Sequence, residues 1–178
     1  MTVFIALLRG VNVGGNNKLP MKDWRGTMEG LGHTRVRTYI QSGNAVFESD
    51  RPASDIASDM TQAIGEVFGF RPSCVVLTLG QVEAALAACP FKSEGENAHK
   101  LVHVFFLNGP VKSYDPDGLQ VLATQDEAFH MTDSVFYLYT PQGFGVSKVA
   151  EKLGKYLKGD MTARNLRTVE TLIGMARE

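Results

Sequence analysis

The sequence predicts an α+β protein of two tandem ferredoxin-like units, each an antiparallel sheet with helices covering one face. Three observations predict it. Short apolar or alternating segments of strand type recur between amphipathic stretches of helical period. Through residues 1–80 they fall in the order strand, helix, strand, strand, helix, strand. Residues 100–178 run strand, helix, strand, strand, helix, helix, a related βαββαα unit with a helix where a sixth strand would complete the repeat. Residues 81–99 join the two as a connecting helix and loop.

Residues 3–8 are short and apolar and Gly10 ends them, the pattern of a buried strand. Pro20 and Met21 open a helix with Trp24, Met28 and Leu31 on one stripe, and Gly32 stops it. Residues 35–41 alternate, with Val36, Thr38 and Ile40 opposite Arg35, Arg37 and Tyr39, so this strand has one apolar and one polar face. Ser42, Gly43 and Asn44 supply a turn, and residues 45–48 return as the hairpin partner. Pro52 starts a long helix with Ile56, Met60, Ile64 and Val67 at helical spacing, and residues 73–78 form another strand.

A connecting helix at 81–88 and a polar loop around 94–97 lead to a strong apolar strand at 100–107. A short helix at 114–122, strands at 124–130 and 134–139, and a helix at 149–157 follow. Thr162 reads as the N-cap of a last helix whose Leu166, Val169, Leu172 and Ile173 share a face. Arg164, Arg167, Thr168 and Thr171 fall on the opposite, hydrated face of that helix.

Composition excludes several classes. With 44% hydrophobic and 21% charged residues the chain lies outside the disordered range. A formal charge of −1 argues against a protein that coats nucleic acid through its overall field. No apolar run approaches the roughly 20 residues needed to span a bilayer. Residues 1–8 have neither the basic start nor the long apolar stretch of a signal peptide, so the expected location is the cytoplasm. Cys74 and Cys89 fit that compartment as small buried hydrophobes, and there is no Cys-x-x-Cys pair.

Residues 7–21 read Leu-Leu-Arg-Gly-Val-Asn-Val-Gly-Gly-Asn-Asn-Lys-Leu-Pro-Met. Together with Tyr39-Ile-Gln-Ser-Gly-Asn44 and Thr162-Ala-Arg-Asn165, this stretch resembles the domain of unknown function 1697 family of bacterial proteins. The resemblance runs from the first strand to the last helix. It implies an α+β fold of two ferredoxin-like subdomains and carries no activity with it. Three positions depart from the family pattern: Asn16 where a lysine is common, Cys89 where Asn-Pro-Phe is usual, and Leu166 where a tryptophan often stands.

The loop after the first strand has the spacing of a P-loop between Gly10 and Gly15, but Asn16 and Asn17 stand where lysine and hydroxyl belong. A Walker-type nucleotide hydrolase is excluded. Two readings remain: an anion-binding loop, or a tight turn with Gly14 and Gly15 at positive φ and asparagines bonding its backbone. Residues 141–148 also link a strand to a helix, with Gly143 and Gly145 for a sharp turn, Ser147 to cap and Lys148 in the first helical turn. A cation beside the positive end of a helix is locally unfavourable unless an anion joins it, so Lys148 points weakly to a ligand.

Catalytic machinery is sparse. There is no Gly-x-Ser-x-Gly elbow and no Ser-x-x-Lys. His99 and His103 have helical zinc-ligand spacing but lie on a predicted strand, where four residues cover about 13 Å, so no metal is expected. His33 and His130 read as surface residues in turns. No catalytic residue and no cofactor is assigned, and enzyme activity is left open.

The leading expectation is a cytoplasmic protein binding a small phosphate- or carboxylate-bearing ligand. Arg9, Lys18, Lys148 and Arg164 would supply charge, and Asn12, Asn17, Ser42, Asn44 and Asn165 directional hydrogen bonds. The alternatives are a single-stranded nucleic-acid module using Arg35, Arg37 and Tyr39, and a scaffold for protein–protein contact. Phosphoryl or acyl transfer through the same loops has only Ser42, Ser147 or a histidine to nominate. The oligomeric state is left open.

Overall fold

The computed structural model of the chain describes residues 1–92 and 97–178. Its elements are β1 (Thr2–Leu8), α1 (Met21–Gly30), β2 (Thr34–Tyr39), β3 (Asn44–Ser49), α2 (Ala53–Phe68), β4 (Cys74–Thr78) and α3 (Leu79–Ala87). There follow α4 (Ala98–Leu101), β5 (Val102–Leu107), β6 (Ser113–Tyr114), α5 (Pro116–Leu122), β7 (Ala128–Met131) and β8 (Val135–Tyr139). A single 3₁₀ turn (Phe144–Val146) precedes α6 (Lys148–Tyr156), β9 (Leu157–Lys158), β10 (Met161–Asn165) and α7 (Leu166–Arg177). The chain divides into two units, one of Met1–Ala84 with Thr171–Glu178 and the other of Ala85–Glu170.

The first unit holds a four-stranded sheet in the order β2-β3-β1-β4, antiparallel throughout. Alternation along β1 sends Phe4, Ala6 and Leu8 to one face, where they meet Trp24 and Met28 of α1 and Ile56, Met60 and Ile64 of α2. Ile5 and Leu7, on the other face, are buried as well. Burial on both faces is why β1 reads as a continuous apolar run. Pro20 and Pro52 stand at the helix starts, and Gly69 ends α2 at φ +79°. Val67, in the last turn of α2, is exposed, and Phe68 packs against the core instead.

The second unit carries a four-stranded antiparallel sheet in the order β10-β5-β8-β7. Phe105, Leu107, Phe136 and Leu138 face Leu119 of α5 and Val149 and Leu153 of α6. A small ribbon pairs β6 with β9. Asp115 caps α5 by accepting from Gly118 N–H at 3.0 Å.

Here the structure corrects the βαββαα reading. Residues 161–165 are a strand paired with β5, Thr162 opposite Phe106 and Arg164 opposite Val104. The cap of α7 is Asn165, whose Oδ1 accepts from Thr168 N–H at 2.9 Å, and Thr162 and Thr168 are both buried. A threonine three residues ahead of an asparagine mimics a helix start, but the edge of β5 offers Met161-Thr-Ala-Arg-Asn165 a full backbone ladder. Two smaller shifts follow. Residues 124–127 form a turn closed by Thr124 N–H on Glu127 Oε1 at 2.9 Å, so the strand there starts at Ala128. His99, Lys100 and Leu101 belong to α4, so the apolar strand starts at Val102. Of the polar loop around 94–97, all but Asn97 lies outside the described residues.

Candidate functional site

The most informative motif folds into a corner at the C-terminal end of β1. Leu8 N–H donates to Gly43 C=O at 2.8 Å and Arg9 N–H to Ser73 C=O at 3.0 Å, tying the strand end to the β2–β3 loop and to the chain entering β4. Gly43 is required twice over. Its φ is +85°, and a Cβ there would lie 2.7 Å from Leu8 Cβ and 2.8 Å from Val11 Cγ2.

Beyond Gly10 the loop doubles back. Asn12 N–H donates to Asn17 C=O at 3.0 Å and Asn16 N–H to Val13 C=O at 2.9 Å. Gly14 and Gly15 hold φ of +58° and +77°, the signature of a type I′ turn. The Asn12 side chain accepts from Leu19 N–H at 2.8 Å and donates to Leu19 C=O at 2.8 Å and to Gln41 C=O at 2.7 Å. Asn17 Nδ2 donates to Gly10 C=O at 3.1 Å. Asn44 Nδ2 donates to Tyr39 C=O at 3.1 Å and to Ser42 Oγ at 2.9 Å. The reading of glycines at positive φ with asparagines bonding the loop backbone is therefore what the loop does.

These bonds gather Arg9, Asn12, Asn17, Lys18, Ser42 and Asn44 in one corner of the first unit. The Arg9 and Lys18 side chains are exposed. Neither residues 1–22 nor residues 39–47 contain an aspartate or glutamate, so the segments that build the corner carry only positive charge.

Lys148, Arg164 and Asn165 lie in the second unit. Lys148 is exposed at the first position of α6. Ser147 caps that helix, accepting from Ala150 N–H at 3.2 Å and donating its hydroxyl to Glu127. The Glu127 carboxylate thus supplies negative charge at the positive helix end, and Lys148 there needs no ligand to account for it. Arg164 sits in β10, 8% exposed, with Nη1 donating to Thr162 Oγ1 and Ala163 C=O, both at 2.8 Å. This corrects its expected place on a hydrated helix face, and burial pulls its pKa down to about 10.

The polar face of β2 is occupied. Arg35 pairs with Glu48 at 2.8 Å, and Arg37 pairs with Glu178 and donates to Met175 C=O. A cavity of about 240 Å³ there is lined by Val3, Arg35, Arg37, Glu48, Arg177 and Glu178 among others. Arg177 in turn pairs with Glu83 at 2.7 Å. Each of the three guanidinium groups thus meets a carboxylate of the chain itself.

Burial sets the character of two histidines. His33 is buried rather than at the surface, its ring 5.0 Å from that of Phe47, and neither nitrogen has a hydrogen-bond partner among the described residues. Burial first, then Arg51, lowers its pKa. His103 stacks on Phe144 at 4.1 Å, and burial lowers its pKa to about 4. His99 instead pairs with Glu170 at 2.7 Å. Cys74 and Cys89 are buried and not joined in a disulfide, and burial pushes the Cys74 thiol up to about 12, so it is no nucleophile near neutral pH. No group of three or more potential metal ligands occurs among the described residues, nor any helix long and apolar enough to cross a membrane.

Fold and corner together define an α+β protein of antiparallel four-stranded sheets with a basic, asparagine-stapled loop at one strand end. The chain belongs to the family described as protein of unknown function (DUF1697), whose family model matches residues 1–137. Among solved structures it is similar to the conserved bacterial protein SP0830 from Streptococcus pneumoniae, at 24% identity over 98% of each chain, with a TM-score of 0.73. That likeness is one of fold. No curated protein matches the chain.

Proposed function

We propose that the corner built from residues 9–18 and 41–44 binds a small phosphate- or carboxylate-bearing ligand in the cytoplasm, on a scaffold of two ferredoxin-like units. The observation that carries the reading is the Asn12 side chain. Its three hydrogen bonds lock a loop with two exposed cations and no acid against the β2–β3 hairpin. A rigid, acid-free, cationic loop attracts an anion without first having to order itself. Arg9 and Lys18 supply the charge. The asparagines, Ser42 and the loop amides set the shape around it.

The scaffold reading draws on strand order. Each sheet places the first strand of its unit between the third and the fourth, with the second at the edge, which is the order of a split βαβ unit. Single-strand binding draws no support from Arg35 and Arg37, which are held by the chain's own carboxylates.

The test is titration with inorganic phosphate, sulfate and acetate at low salt, followed by calorimetry and thermal shift. Phosphate is expected to raise the melting temperature and to lose that effect in Arg9→Gln and Lys18→Gln. Identical behaviour of the wild type and both variants across the panel overturns the proposal.

A further inference from the structure

Ile40 holds φ of +48° and is 50% exposed. For a β-branched residue this backbone region is a true outlier, because the second branch on Cβ crowds the neighbouring carbonyl. The surrounding loop makes the choice more pointed. Asn12 and Asn17, at φ of +55° and +50°, are of the residue type that tolerates the region, and Gly43 at +85° closes the same hairpin loop. Only position 40 places an isoleucine there among the left-handed residues of this corner. The core does not ask for it, since Ile40 is absent from the buried cluster under the sheet. Val13, at the base of the type I′ turn, is 61% exposed. Each of the two is one residue away from the 2.7 Å bond between Asn12 Nδ2 and Gln41 C=O, so both belong to the same corner as Arg9 and Lys18.

We propose that the anion received by this corner carries an apolar group, and that Ile40 and Val13 are its seat. The inference rests on the anion reading above and deepens it to a ligand class: a small monoester or carboxylate with an aryl or alkyl substituent. Strain held at an exposed position is retained where the side chain serves something outside the fold. Asparagine would fit the backbone at 40 without strain but would forfeit the apolar surface. The cations fix the charged end, and the two aliphatic side chains shield the other end from water.

The probes are inorganic phosphate and phenyl phosphate, titrated separately into the wild type, Ile40→Asn and Val13→Ser, with sedimentation run in parallel. Covering about 50 Å² of apolar surface is expected to make phenyl phosphate about tenfold the tighter ligand in the wild type. In Ile40→Asn that advantage falls below about threefold while affinity for inorganic phosphate stays unchanged. Val13→Ser reduces it partway. If inorganic phosphate binds and phenyl phosphate binds no tighter, or keeps its advantage in Ile40→Asn, this inference falls and the anion reading stands. If neither probe binds, the anion reading fails and takes this inference with it. Self-association of the wild type that Ile40→Asn abolishes assigns the surface to a second copy and overturns the proposal.

Discussion

Replacing Asn12 tests the staple on which the corner depends. Its side chain satisfies both backbone groups of Leu19, a residue with no exposed surface, and reaches Gln41 C=O in the neighbouring loop. In Asn12→Ala the Leu19 N–H and C=O lose their partners, at about 1–3 kcal/mol for each buried group left unsatisfied. Water replaces the bond to the exposed Gln41, which adds little. Alanine must also hold φ near +55°, which costs about 1 kcal/mol more than it does for asparagine. The expected loss is about 3–7 kcal/mol, or about 6–28 °C in melting temperature for a chain of this length. Asn12→Gly removes the same bonds without the backbone penalty and is expected about 1 kcal/mol above Asn12→Ala. That order reverses the one found in ordinary strands and helices. Trp24 is the chain's single tryptophan and is buried under the first sheet, so its fluorescence in urea reports the unit concerned. Unfolding of Asn12→Ala within about 0.5 kcal/mol of wild type, or a glycine variant weaker than the alanine one, would refute the staple and its geometry.

Three further outcomes are expected. Ser147→Ala removes the α6 cap and is expected to cost about 1 kcal/mol by urea denaturation. Cys74, with its thiol raised by burial, and Cys89, also raised, are expected to resist iodoacetamide in the native protein and to react fully in urea, as mass spectrometry would show. His103 makes stability fall with acid. Its pKa drops from 6.5 to about 4 on folding, so the unfolded chain binds the extra proton and stability declines as pH falls from about 6.5 towards 4. Above that window the imidazole is neutral in both states and the contribution vanishes. The loss is about 3 kcal/mol over the window, and His103→Phe, which keeps a ring against Phe144, is expected to flatten that part of the profile. An unchanged slope in the variant would place the acid sensitivity elsewhere, His33 being the next group to examine.

Period and punctuation made much of the fold legible. The β1, β2, β3 and β4 segments, the two proline-led helices and most of the second unit follow from alternation, helical stripes and turn residues, all signals within a few residues of one another. The departures share a different cause. Met161–Asn165 is a strand because β5 leaves an edge beside it, and nothing within those five residues outweighs a threonine that looks like a cap. His33 is buried because Phe47 packs on it, and Lys148 sits at a helix end whose balancing charge comes from Glu127. Each outcome is set by a partner far along the chain. The candidate site divides in the same way. Glycines, cations and the lack of acids were readable at positions 9–18, while the partners of the asparagines were not. Asn12, Asn17, Asn44 and Asn165 all direct their side chains at the chain itself. Removing one of these amides therefore disturbs the fold and any ligand together. Neutralising the exposed Lys18 leaves the asparagine bonds of the loop in place, so that charge variant reads binding where the amide variants read folding.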